Sequence, residues 1–227
     1  MKSVLSGLIL LLAFQIPLFA QLDDKIADRL YESAKVFDEL MKAPDGGVPK
    51  KVLKDAECVA VIPSAKKAAL GIGGTYGRGV VTCRKDNGKG AWGPPSMIAL
   101  GGGSFGIQIG GQSNDVVMLF MTPDSIQRLL KDKVTLGADM SAAAGPLGRQ
   151  ASAETTATMR AEILTYGRSR GVFAGISLKG AVLSPDKDAN KSLYKKEVPA
   201  KDLLMTGNMP IPEPARKLID AITAAGQ

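Results

Sequence analysis

From Leu22 to Lys42 the apolar positions Ile26, Leu30, Ala34, Phe37 and Leu40 or Met41 recur at helical spacing. Asp23 and Asp24 near the start and Lys42 at the end suit the helix dipole, so the pattern predicts one amphipathic helix. Ala43-Pro44-Asp45-Gly46-Gly47 closes it, and Pro49 suits the first turn of a short second helix through Asp55 that turns Val52 and Leu53 to the core. Beyond Glu57 the period shortens to that of strands. Cys58 to Ile62, Ala68 to Gly73 and Tyr76 to Cys83 read as strands, with a turn at Pro63-Ser64 and a hairpin favoured by Asn87-Gly88 in the polar loop Arg84 to Gly90. Trp92 falls on the returning strand. Met97 to Leu100, Ser104 to Ile109 and Val116 to Met121 extend an antiparallel meander joined by Gly101-Gly102-Gly103 and Gly110-Gly111. Glycines so placed imply bulges and sharp curvature. The predicted fold is therefore α+β: a strongly curved, glycine-rich antiparallel sheet or partial barrel with flanking N-terminal and C-terminal helices.

Thr122 can cap and Pro123 can begin a helix to about Leu130, with Ile126, Leu129 and Leu130 on its apolar side. Val134 to Leu136 reads as a short strand, whereas Ala138 to Ala157 has no clean period. Glu162 to Tyr166 and Val172 to Leu178 read as strands, with Ala181 to Leu183 extending the second, and Ser184 to Lys196 as a charged loop. Pro210, Pro212 and Pro214 lead to a helix over about 215–225 with Leu218, Ile219 and Ile222 in its apolar stripe. No internal repeat of fixed period is present.

Residues 1–20 have the form of an export signal: Lys2 supplies the positive start, Val4 to Leu18 is mostly apolar, and Leu18-Phe19-Ala20 ends on a small residue. The apolar run is shorter than the roughly 20 residues of a membrane span and is interrupted by Gln15 and Pro17. Residues 21–227 then suit a single domain. No cysteine follows the expected cut, which argues against a lipid-modified amino terminus and for a periplasmic or secreted protein. Cys58 and Cys83 lie in strand-like runs, and two readings stand: a disulfide between strands, or two small buried hydrophobes.

The chain has no histidine, which removes the usual neutral-pH base, the Ser-His-Asp arrangement and every histidine metal site. Two cysteines cannot make a four-sulfur zinc site. No catalytic residue, metal site or cofactor is therefore assigned. Gly101-Gly102-Gly103-Ser104-Phe105-Gly106 fits G-x-G-x-x-G formally, but Ile107-Gln108-Ile109 alternates like a strand where a nucleotide site needs a helix. Neither nucleotide nor nucleic acid is an expected partner. Asn190-Lys191-Ser192 has the form of a glycosylation acceptor, a triplet that is common by chance.

Loss of Lys2 with the signal leaves 28 basic against 22 acidic residues, and Pro49 to Trp92 holds nine of the basic ones against three acidic. The cluster contains Lys50, Lys51, Lys54, Lys66, Lys67, Arg78, Arg84 and Lys85. Such clustering marks either a solubilising face or a surface that meets anions such as lipid headgroups.

Several blocks in order resemble the SYLF, or Ysc84-like, family of lipid-binding domains, from about Leu30 to about Val198. They are Ala60 to Lys67 with Gly71 to Val80, Trp92 to Met97, Gly103 to Gln112, Leu136 to Asp139, Gly145 to Arg149, and Tyr166 to Gly180. The resemblance implies a non-catalytic domain that associates with acidic phospholipids, and an α+β fold with a glycine-rich β core. With an export signal and no SH3 or FYVE-type module, the chain resembles an exported bacterial branch, and the actin-related roles of fungal members are not carried over. The leading expectation is an anionic phospholipid or membrane surface as partner, contacted through the eight basic residues, with Arg168 and Arg170 as a secondary anion contact. In the Tyr166 to Gly180 block, Val172, Phe173, Ile176 and Leu178 are expected to fill the core. The alternatives are a soluble carrier of an apolar ligand, or an envelope structural module with a protein partner.

Overall fold

The computed structural model describes residues 18–43, 47–88, 90–148, 160–169 and 172–227, with side chains described for all of these except 18–23, 67–73, 87, 103–112 and 126. Helix α1 (Leu18–Met41) is followed by α2 (Lys50–Asp55), strand β1 (Cys58–Cys83), the short α3 (Lys85–Gly88) and β2 (Ser96–Phe120). Next come α4 (Pro123–Leu129), β3 (Val134–Thr135), β4 (Ala142–Ala144), β5 (Ile163–Ser169), β6 (Val172–Gly175) and β7 (Val182–Pro185). Helix α5 (Lys187–Tyr194), a π-helical turn Asp202–Thr206, a 3-10 turn Glu213–Ala215 and α6 (Arg216–Ala225) complete the order. Residues 1–17 of the expected export signal lie outside the described residues, and α1 runs across the expected cut after Ala20.

The architecture is a mixed α and β fold whose sheet curls into an open half-barrel, flanked by N- and C-terminal helices. Its spine is β2. Along its length β2 pairs antiparallel with β1, while Asp115 to Phe120 also pair with β5 and Ile98 to Gly101 with β7. The order is β3-β7-β2-β5-β4, with β6 antiparallel on β5 and β4 parallel to it. The expected meander of short strands is thus one long ribbon of two strands. Its bends are register shifts between Ile62 and Ala65 and between Leu70 and Ile72, where the chain turns without losing its partner.

That ribbon doubles back. Cys58 and Cys83, the two ends of β1, are joined by a disulfide with their α-carbons 4.0 Å apart, and Arg84 N–H donates to the Glu57 carbonyl at 2.8 Å. The bond therefore links one strand to itself rather than two strands. A Cβ on Gly79 would overlap the Val61 carbonyl, and one on Gly77 would sit 2.6 Å from Ile62 Cγ2, so these glycines permit the close approach of the two halves.

Both faces of the sheet are covered, which explains why Cys58 to Ile62 and Val116 to Phe120 read as continuous apolar runs. Val59, Val61, Val117 and Leu119 pack with Ile26, Leu30, Phe37 and Leu40 of α1, Leu53 of α2, and Leu218, Ile219 and Ile222 of α6. Cys58, Ala60, Ile62, Met118 and Phe120 fill the other face with Val81, Leu100, Leu129, Leu183 and Leu203. Burying a Leu or Phe side chain contributes about 1.5–3 kcal/mol, so these two layers dominate the stability of the sheet.

Four further expectations change. The Asn87-Gly88 segment is a helical turn, with Gly88 at φ +84°, rather than a two-residue hairpin. Residues 187–194 form α5 instead of a loop: Asp186 Oδ1 caps it by accepting from Ala189 N–H at 3.2 Å, and only Ala189 and Asn190 are buried. Residues 182–185 do not extend β6 but form β7 between β2 and β3. In the glycine-punctuated block Phe173 is buried and Ile176 and Leu178 are partly buried, but Val172, on β6, is 62% exposed and fills no core.

Candidate functional site

Helix α2 presents Lys50, Lys51 and Lys54 to solvent because Val52 and Leu53 hold its opposite side in the core. Its last turn meets the end of β1, where Arg84 Nε donates to the Ala56 carbonyl at 3.3 Å. The Arg84 guanidinium lies 4.3 Å from the centre of the Trp92 ring, a cation–π contact. Burial lowers its pKa, and Glu57 works in the opposite direction. Lys85 follows at the start of α3, its stem running beside Gly207. Five of the eight basic residues therefore meet at the disulfide-linked end of β1. Among the described residues Lys50, Lys51, Lys54 and the exposed Lys66 form no ion pair. Lys66 is set apart, beyond the first bulge and opposite Ser113 of β2. The side chain of Lys67, and all of Arg170, lie outside the described residues.

Arg168 on β5 faces inward. Its Nε and Nη2 lie 2.7 and 2.6 Å from Asp115 Oδ2 of β2, and its Nη1 donates to Glu39 of α1. Asp115 Oδ1 in turn accepts from Ser64 N–H at 2.9 Å, where β1 turns through a positive φ of 52°. The guanidinium also stands 5.4 Å from the centre of the Phe173 ring. Burial opposes its charge, but hydrogen bonding and attraction from Asp115, then Glu39, outweigh it and raise the pKa. One arginine thus ties together α1, β1, β2 and β5.

Arg78 on β1 belongs to a different cluster. Its Nε donates to the Tyr76 hydroxyl at 2.6 Å, and its Nη1 lies 3.6 Å from Asp186 Oδ2. Arg29 of α1 brings its Nη1 to 3.5 Å from the same oxygen. The hydrogen bond to the Tyr76 hydroxyl, then the charge of Asp186, raise the Arg78 pKa, whereas burial lowers that of Arg29. Arg29 and Asp186 escaped the sequence reading. The signal was present for each: Arg29 falls one turn from Ile26 and Ser33 on the buried side of α1, and Asp186 precedes a segment able to form a capped helix.

A groove of about 600 Å³ lies between the end of α4, α5 and residues 197–200, lined by Leu130, Pro185, Asn190 and Val198 and crossed by two ion pairs. These are Lys187 with Asp132 at 2.9 Å and Lys191 with Glu197 at 2.8 Å. Asn190 is buried: its Oδ1 accepts from Met97 N–H at 2.7 Å and its Nδ2 donates to Ser96 Oγ and the Met97 carbonyl at 3.2 Å. The Asn190-Lys191-Ser192 triplet therefore offers no glycosylation acceptor in the folded chain. Among the described residues no group of three His, Cys, Asp or Glu could hold a metal, and no helix is long and apolar enough to cross a membrane.

The fold is a curled sheet tied by a disulfide and flanked by helices, with exposed lysines presented beside the linked end of β1. Residues 101–225 match the family model Ysc84, described as Las17-binding protein actin regulator, and the chain belongs to this Ysc84-like, or SYLF, family. It is 38% identical over 160 residues to the SH3 domain-containing protein PJ696.02 of Schizosaccharomyces pombe, covering 69% of this chain and 36% of that relative. It is 32% identical over 197 residues to the SH3 domain-containing YSC84-like protein 1 of Homo sapiens, covering 84% and 56%. With LAS seventeen-binding protein 3 of Saccharomyces cerevisiae it shares 33% identity over 181 residues, covering 76% and 39%. The chain spans between about a third and somewhat over half of the length of these relatives. Their names are those of binding and SH3-containing proteins rather than of enzymes. The matched segment reaches past Val198 into α6.

Proposed function

We propose that this chain is an exported, non-catalytic module that associates with anionic phospholipid surfaces through the basic end of β1. The observation that carries the reading is the presentation of Lys50, Lys51 and Lys54, exposed and without an ion pair among the described residues, beside Arg84 and Lys85. Each basic residue near an anionic surface contributes about 1 kcal/mol, an attraction that falls with salt. Sedimentation with anionic and neutral vesicles tests it. Wild type is expected to pellet with the anionic vesicles alone, less as salt rises, and a Lys50→Gln, Lys51→Gln, Lys54→Gln variant is expected to lose about a hundredfold in affinity. Equal binding to both vesicles, or indifference to salt, overturns the reading. Recovery of expressed protein beginning at Gln21 from the cell envelope supports export; intact Met1 in the cytosol removes it. A protein partner is the second reading, favoured by the Las17-binding description of the family and the name of the Saccharomyces cerevisiae relative.

A further inference from the structure

The groove between α4, α5 and residues 197–200 lies outside the lipid reading: none of its lining residues belongs to the eight cations or to the Arg168 cluster. Its lining is apolar at Leu130 and Val198, each half-buried with part of the side chain left open, and at Pro185, Pro199 and Ala200. The walls are fixed before anything binds. Pro185 ends β7 opposite Ile98 of β2, proline rings lock φ there and at Pro199, and the buried Asn190 ties α5 to Ser96 and Met97 of β2. A volume of about 600 Å³ falls in the range of roughly 300–1,000 Å³ that holds a drug-sized ligand, and a preformed frame spares the cost of ordering it. Charge narrows what fits. Three carboxylates line the groove against two ammonium groups. Asp132 is taken by Lys187 and Glu197 by Lys191, whereas Asp188 has no ion pair among the described residues. Arg78 and Lys191 act on Asp188 from beyond ion-pair distance. An anion is therefore disfavoured and an apolar cation is matched.

We infer that this groove is a docking site for a short basic and apolar peptide segment of a protein partner, its apolar side chains against Leu130 and Val198 and its one cation on Asp188. The two ion pairs supply a polar rim around an apolar centre, the ordinary anatomy of a protein contact. Both pairs are exposed and screened by solvent, so rearranging them around an occupant costs little. A rim of both signs also offers the donors and acceptors that peptide amides use and a simple amine does not. The site is independent of the lipid association proposed above, and failure of one leaves the other standing.

The test is a titration of the isotope-labelled full chain, followed through its backbone amide shifts, with the blocked peptide Leu-Val-Arg-Val-Leu and its counterparts carrying Gln or Glu in place of Arg. The Arg peptide is expected to move the amides of residues 130–132, 187–191 and 197–200 and to bind about tenfold tighter than the Glu peptide, with the Gln peptide between them. Asp188→Asn is expected to bring the Arg peptide to the affinity of the Gln peptide and to leave the Gln peptide unchanged. Val198→Ala is expected to weaken all the peptides about threefold, through lost apolar contact. Should Val198→Ala not fold, Asp188→Asn decides alone. No binding, shifts confined to other residues, equal binding of the Arg and Glu peptides, or a preference that survives Asp188→Asn overturns the site. Pentylamine binding as tightly as the Arg peptide would assign the groove to a small amine and overturn the peptide as its occupant.

Discussion

Arg168 stands between two carboxylates, and Asp186 stands between two guanidinium groups. In the first cluster Asp115 receives two short contacts at 2.6 and 2.7 Å, Glu39 takes the remaining Nη, and Asp115 spends its other oxygen on Ser64 N–H. The donors are used and the surplus charge is negative. In the second cluster the two arginine–carboxylate contacts are 3.5 and 3.6 Å, both fall on one oxygen of Asp186, and among the described residues a buried Arg29 nitrogen has no hydrogen-bond acceptor. Arginines of the same chain, each on a strand of the same sheet, are thus held differently: Arg168 draws elements together, while Arg78 shares one carboxylate with a second arginine. The distances and the fraction of donors used distinguish the two clusters better than residue type does.

The strongest way to break this contrast is Arg168→Ala. It leaves Glu39 and the 13%-exposed Asp115 uncompensated and removes the guanidinium from the Phe173 ring. A loss of about 3 kcal/mol in urea unfolding is expected, since stranding a largely buried carboxylate costs this much. Vesicle binding per folded molecule is expected to stay at the wild-type level. A stability change below about 0.5 kcal/mol, the range of ordinary surface substitutions, would show the cluster to be decorative.

Asp186→Asn comes next. Asparagine retains an oxygen able to cap α5 through Ala189 N–H, so the substitution isolates the charge from the cap. Arg29 and Arg78 then face one another with Asp188 as the remaining carboxylate acting on Arg78, at an expected cost of about 1–2 kcal/mol. Replacing chloride by phosphate at equal ionic strength is expected to return part of that loss, because an external anion can take the carboxylate's place. The Arg168→Ala deficit is expected to be unmoved by the same exchange. If both variants respond alike, or neither does, the two clusters do not differ in their affinity for anions.

Much of the scaffold is written locally. The four-and-three spacing of Ile26, Leu30, Ala34, Phe37 and Leu40 marks α1, and Thr122-Pro123 marks the start of α4, where the Thr122 oxygen accepts from Ser125 N–H. The division of β1 and β2 into short strands failed for a physical reason. A glycine inside a strand and a glycine in a turn look alike until one knows that hydrogen bonds to a partner hold it, as β2 holds Gly73, Gly74 and Gly77 of β1. Helix α5 was hidden because so polar a segment buries only Ala189 and Asn190, leaving no apolar period to detect. At the candidate site, exposed lysines were legible as charge on a short helix. The convergence of Arg29, Arg78 and Asp186 was not, because it is made by tertiary packing of three elements distant in the chain.

Arg78→Gln is the smallest perturbation and the sharpest. The side chain is 46% exposed, its pairing with Asp186 is long, and its hydrogen bond goes to an exposed hydroxyl, so solvent screening leaves little energy in either contact. A loss of about 0.5 kcal/mol is expected, which for a chain of this size corresponds to a melting shift of about 1–2 °C. Loss of the Asp186 contact is partly offset by relief of repulsion with Arg29, which no longer faces a second cation. Arg168 has no such relief, because each of its near charges is opposite in sign. A cost for Arg78→Gln equal to that of Arg168→Ala would make both arginines struts, and the distinction between a closed and an open cluster would disappear.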